Sequence, residues 1–150
     1  MRVLAAALAL TLALSAQARP DLSGTWTLDT DKSDAVAVAA GRGATPPQLI
    51  ISFSGTNDLT ITQNGQPVPY KFDGTEMPGP PGGETKSTAA WEGDKLVITW
   101  RREYFAGKDG YLTRRGRDVY SVAGTVLTIE KTTTTPQGVS TTRKVVYSKG

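Results

Sequence analysis

The chain reads as an all-β protein: a single antiparallel up-and-down meander of eight or nine strands that closes into a barrel. Three observations predict this. Apolar side chains alternate with a period of two through most of the sequence, and turn residues punctuate that alternation at short intervals. A Leu-x-Ile unit also recurs at Leu59, Leu96 and Leu127, each time just after a turn and at unequal spacing, which fits successive hairpins better than a solenoid. A β-sandwich is the alternative. Meander order and short turns favour the barrel, which removes its own strand edges by closing.

Taken in order, residues 1–18 read as a cleaved signal peptide. Arg2 gives a positive start, Val3 to Leu14 are apolar except for Thr11, and Ala16 and Ala18 are the small residues of a cleavage site before Arg19. The run is too short to span a bilayer, so a membrane anchor is not expected. The expected product is an exported, periplasmic or secreted domain over residues 19–150 that does not span a membrane. Trp26 and Leu28 alternate with Thr25 and Thr27 in the first strand, and Leu49 to Phe53 is β-prone. Leu59 and Ile61 lead to Asn64-Gly65, a strong hairpin signal, and Val68, Tyr70 and Phe72 return from it to Asp73-Gly74. Gly93-Asp94 precedes Leu96, Ile98 and Trp100. Lys108-Asp109-Gly110 precedes a strand to about Tyr120, Gly124 precedes Leu127 and Ile129, and Gln137-Gly138 turns into Val139 to Tyr147. Two stretches interrupt the pattern: an Ala-rich segment with the composition of a short helix over Asp34 to Ala40, and a Pro-Gly loop over Glu76 to Gly83. The Thr132 to Thr135 run reads as a solvent-facing strand end.

Composition narrows the chemistry. Cys and His are both absent. That removes disulfides, Ser-His-Asp and Cys-His nucleophile systems, and zinc sites built on imidazole or thiolate. No metal site and no cofactor are expected, and no catalytic motif is recognisable, so an enzymatic role is disfavoured. The whole chain carries 17 Lys and Arg against 14 Asp and Glu. Only Arg2 of these precedes Arg19, so the remainder is close to balanced and no nucleic-acid partner is expected. Asp29 and Asp31 lack the Gly and distal Glu of a calcium loop and read as a polar turn.

The segment Asp21-Leu22-Ser23-Gly24-Thr25-Trp26-Thr27-Leu28-Asp29 resembles the Gly-x-Trp opening of lipocalins and related calycin barrels. That resemblance implies that Trp26 packs across the closed end of a lipocalin-like barrel, with an Arg of the last strand over its ring. Gly24, Trp26 and Arg143 are then the expected barrel floor. The opening together with Lys32-Ser33-Asp34, Trp91-x-Gly-Asp-Lys-Leu and Val146-Tyr147 is similar to uncharacterised bacterial exported proteins with a lipocalin-like domain. The chain has no Thr-Asp-Tyr motif of the kind found in kernel lipocalins.

If Leu96, Ile98 and Trp100 point inward, alternation also directs Arg102 and Tyr104 inward. The same rule takes Leu127 and Ile129 on to Lys131, and an inward Tyr120 carries Asp118 and Arg114 with it. Tyr70, Trp100, Arg102, Tyr104, Arg114, Asp118 and Tyr120 are the expected ligand-binding residues. Apolar walls with a few placed charges suit a small apolar or amphipathic molecule, its acidic head meeting Arg102 or Arg114. Two other functions fit the same sequence. One is a cofactor-free isomerase, cyclase or hydratase with a perturbed interior carboxylate such as Asp118. The other is an interaction module for an envelope protein partner, with a filled core and no ligand.

Overall fold

The computed structural model describes residues 18–34, 47–79 and 84–150. The expected signal peptide, apart from Ala18, and nearly all of the Asp34–Ala40 helix lie outside these residues. Ten strands follow one another: β1 (Gly24–Leu28), β2 (Gln48–Ser54), β3 (Asp58–Gln63), β4 (Gln66–Lys71), β5 (Met77–Pro78), β6 (Glu84–Glu92), β7 (Lys95–Phe105), β8 (Tyr111–Ala123), β9 (Val126–Thr134) and β10 (Ser140–Lys149). They form one antiparallel sheet in the order β4-β3-β2-β1-β10-β9-β8-β7-β6-β5. Each strand pairs with its chain neighbour except across the β4–β5 step, and β10 returns to β1. The sheet is therefore an up-and-down barrel, nearly closed, of lipocalin-like shape. Among the described residues no helix is long and apolar enough to cross a membrane.

The strand count exceeds the expected eight or nine because of the two-residue β5, which the Pro-Gly composition of its segment conceals. The open seam has a chemical cause. β4 lies against β5 and β6, but no ladder joins them. Pro67 and Pro69 pair with Thr62 and Thr60 on β3, which requires their nitrogens to face the seam. Neither nitrogen carries a hydrogen to donate there, and Pro78 repeats the device on β5.

Turn chemistry sets the register. Asn64 (φ 52°) and Gly65 (φ 76°) both adopt the left-handed conformation of a tight primed turn. Ile61 then pairs with Val68 and Leu59 with Tyr70, so all four share the inner face. Leu22, Trp26, Leu49, Ile51, Leu59, Leu96, Ile98, Leu127 and Ile129 are fully buried, each aliphatic one contributing about 1.5–3 kcal/mol. At the closed end the rings of Phe53, Phe72 and Trp91 stack on one another at 6.0 to 6.3 Å, and the Arg19 guanidinium lies 5.4 Å from the Trp91 ring centre.

The floor differs from expectation in one residue. Trp26 is completely buried and its indole N–H donates to the Leu22 carbonyl at 2.9 Å. The cation over its ring, however, is Lys149, with Nζ 5.1 Å from the centroid. Arg143 is exposed and opposite Lys131, near the other end of β10. Trp26 pairs directly with Lys149, and the six residues from there to Arg143 span about 20 Å of strand. Gly24 keeps its expected place chiefly through its backbone, whose φ of 123° is one that residues with a side chain rarely adopt. A Cβ there would come within 3.1 Å of Lys149 Cε, whose ammonium also donates to the Ser23 carbonyl at 3.0 Å.

The threonine run divides by face. Thr132 bonds Thr142 and Thr134 bonds Ser140 across the outer surface, both at 2.8 Å. Thr133 instead faces the barrel interior.

Candidate functional site

The upper half of the barrel, on the seam side, is not filled. Strands β3, β4, β6, β7, β8 and β9 surround a cavity of about 610 Å³ that opens at the end away from Trp26. Strand register arranges its wall in tiers. Above Tyr120, which lies between Leu96 and Ile129 at the base, Ala89, Ile98, Asp118 and Lys131 lie side by side on β6, β7, β8 and β9. In the next, Ser87, Trp100, Gly116 and Thr133 do the same. Thr85, Arg102 and Arg114 form the rim. Successive tiers are about 7 Å apart, two residues of strand. The first of these tiers thus carries the Asp118–Lys131 ion pair beside Ile98, the second sets Trp100 among Ser87 and Thr133, and the rim carries the two arginines.

Gly116 decides the middle tier. A Cβ there would be 2.0 Å from Trp100 Cε2 and 2.3 Å from Nε1, so the indole occupies the space that a side chain would fill. The ring lies flat along the wall and leaves the lumen open. Opposite it, Ile61, Val68 and Tyr70 supply an apolar and aromatic surface, with Gln63, Asn64 and Gln66 at the upper edge.

Asp118 is the one buried carboxylate among the described residues. Lys131 Nζ stands 3.4 Å from its Oδ2, so the charge enters the wall with a partner. The neighbouring phenols feel both burial and that charge. Burial, and then the Asp118 carboxylate, push the Tyr70 hydroxyl up to about 12. Tyr120 is raised well above its ordinary value by burial first and then by Asp118, Tyr70 and Tyr147. Both phenols stay protonated and able to donate at neutral pH.

Of the residues expected to meet a ligand, Tyr70, Trp100, Arg102, Arg114, Asp118 and Tyr120 line this cavity. Tyr104 does not. It sits above the rim, with the Arg114 guanidinium 5.8 Å from its ring centre. The cavity also uses polar residues that alternation marks weakly: Gln63, Asn64, Gln66, Thr85, Ser87 and Thr133. Gln63, Gln66 and Thr133 belong to inward series of apolar residues on their own strands, whereas Asn64 is part of the turn and the small residues of β6 leave no such trace in the sequence. Among the described residues no three His, Cys, Asp or Glu side chains converge as a metal site would require. The arrangement suits an elongated guest with its body against Trp100 and Tyr70 and an anionic end near Arg102 and Arg114, while Lys131 is paired with Asp118 two tiers below.

No family model, curated protein or solved structure matches the chain.

Proposed function

We propose that the chain is an exported, lipocalin-like barrel that binds a small apolar or amphipathic molecule, held by its body against Trp100 and Tyr70 and by an acidic head at the rim. The observation that carries this reading is a cavity open at one end, with Ile61, Val68, Tyr70, Ile98, Trp100 and Tyr120 as apolar and aromatic surface and Arg102 and Arg114 at the rim. A pocket-sized volume with aromatic and aliphatic surface and convergent polar groups suits a small-molecule site, and with ten of its sixteen lining residues polar this one favours an amphipathic guest over a wholly apolar one. The Gly24-x-Trp26 opening, with its indole sealed across the floor, supports the likeness to calycin barrels. The apolar run from Val3 to Leu14 before Ala16 and Ala18 supports export.

The direct experiment is native mass spectrometry of the protein recovered from its own host. A stoichiometric added mass that is lost on denaturation supports the reading and identifies the guest. A protein that stays empty after exposure to host lipid and metabolite extracts overturns it.

A second reading has one observation in its favour. Asp118 is nearly buried beside two protonated phenols, Tyr70 and Tyr120, a grouping that can accept and donate protons around a bound substrate. In that case the bound molecule is altered, and Asp118→Asn abolishes turnover while leaving the mass of the complex intact.

A further inference from the structure

The hairpin joining β7 to β8 stands beyond its neighbours. The β6 ladder ends at Glu84 opposite Glu103, and the β9 ladder ends at Thr134 opposite Arg115. From Tyr104 to Leu112 the hairpin's described partners are its own two strands, with Tyr104 across from Leu112 and Phe105 across from Tyr111. A single 3-10 turn, Gly107–Asp109, closes it. Phe105 and Tyr111 are 67% and 78% exposed, and their rings meet at 5.5 Å. Val139, at the adjacent hairpin of the same end, is 62% exposed. These side chains account for three of the four exposed large hydrophobic residues of the described structure.

Charge accompanies them. Residues 101–117 contain six Lys and Arg against two acids, Glu103 and Asp109. Arg101 is held by Glu76 and Glu103, and Arg117 by Glu92. Lys108 is at the turn itself, and Arg114 and Arg115 are exposed just below it. We propose that this hairpin docks onto an anionic lipid bilayer, Phe105 and Tyr111 entering the headgroup region while Lys108, Arg114 and Arg115 face the lipid phosphates.

Size and charge together favour a bilayer over a protein. Two aromatic side chains bury at most about 250 Å² each, about 500 Å² together, short of the ~800 Å² that each partner contributes to a standard protein interface. The same two rings suffice for reversible interfacial binding when basic residues add electrostatic attraction. An aromatic pair with long basic side chains beside it is also the composition found at membrane–water boundaries. Docking this way brings the cavity mouth to the lipid surface. The proposal does not rest on the cavity's having a guest, since the hairpin's features are the same with the cavity empty.

The test exploits the absence of Cys. In the full chain, Asp109→Cys carries an environment-sensitive fluorophore at the hairpin, and Thr125→Cys carries it at the opposite end, in the turn between β8 and β9. Both are mixed with phosphatidylcholine vesicles containing or lacking phosphatidylglycerol. The expected result is a blue-shifted rise at position 109 with the anionic vesicles, suppressed by high salt, and none at position 125. Phe105→Ser with Tyr111→Ser should weaken vesicle binding by about tenfold or more. No response at position 109, or a response at position 125 instead, overturns the proposal. So does a signal at position 109 that grows with protein concentration without vesicles, which would assign the hairpin to a second copy of the chain.

Discussion

The indole of Trp100 occupies the side-chain space of Gly116, its partner across β7 and β8, so closely that a Cβ would approach Cε2 to 2.0 Å. Gly116→Ala must therefore displace the ring into the lumen or push the strands apart. The expected cost is about 1–3 kcal/mol by denaturant unfolding, the range for overpacking. In a Trp100→Ala background the same change should be neutral or slightly stabilising, because glycine in a strand carries an entropic cost of its own. Equal costs in the two backgrounds would show that this contact does not set the shape of the wall.

Lys149, rather than Arg143, covers Trp26. Lys149→Ala should lower stability by about 0.5–1 kcal/mol, the range for an exposed cation over an aromatic face. Arg143→Ala should change it by no more than about 0.5 kcal/mol. Thermal melts of the two variants side by side decide the matter, and the opposite ranking would return Arg143 to the floor.

That pair also shows where the sequence stops being legible. Alternation correctly put Val145, Tyr147 and Arg143 on one face, because the period of two is set by the pleat. It carried no information on height along the barrel, and height depends on which residue of β10 meets Trp26. The same limit explains Tyr104, which continues the series Leu96, Ile98, Trp100, Arg102 but sits above the rim. The strong hairpin at Asn64-Gly65 was readable because its turn demands two residues with positive φ. The small inward residues of β6, Thr85, Ser87 and Ala89, were not, since an inward face of small side chains resembles a loop by composition. Yet those residues leave room for the cavity. The Trp100–Gly116 contact was beyond reach for a different reason: a glycine that admits a neighbouring ring looks in sequence like any strand glycine.

The tyrosines make the barrel sensitive to alkali. Tyr70 is pushed up to about 12 and Tyr120 and Tyr147 are also raised, burial being the first cause for all three. In the unfolded chain these hydroxyls ionise near 10. Between pH 10 and 12 the unfolded state thus gives up protons that the folded state keeps. The stabilisation is complete below pH 10 and is lost as pH rises through the folded values. The unfolding midpoint in urea should be flat up to about pH 9 and fall steeply above 10. Tyr70→Phe should make the fall shallower, by up to about 3 kcal/mol at the alkaline limit. A midpoint equally steep in that variant would mean that Tyr70 does not contribute.

Head-group chemistry can be separated from apolar burial by comparing a medium-chain fatty acid with the alcohol of the same length, following Trp100 emission. If an acidic head meets the cationic rim, the acid should bind about tenfold or more tightly than the alcohol, the effect of one charge-assisted hydrogen bond. Arg114→Gln should reduce that preference and leave the alcohol's affinity nearly unchanged, since Arg114 is exposed at the rim while the Trp100 and Tyr70 surfaces lie deeper in the cavity. Asp118→Asn should act in the other direction. It removes a negative charge from the wall and releases Lys131, now 3.4 Å from the carboxylate, to face the guest. Acid binding should tighten, and the gain should shrink as salt is raised. Equal affinity for acid and alcohol in the unaltered protein would leave the apolar cavity as the whole basis of recognition, with the rim cations serving only the surface.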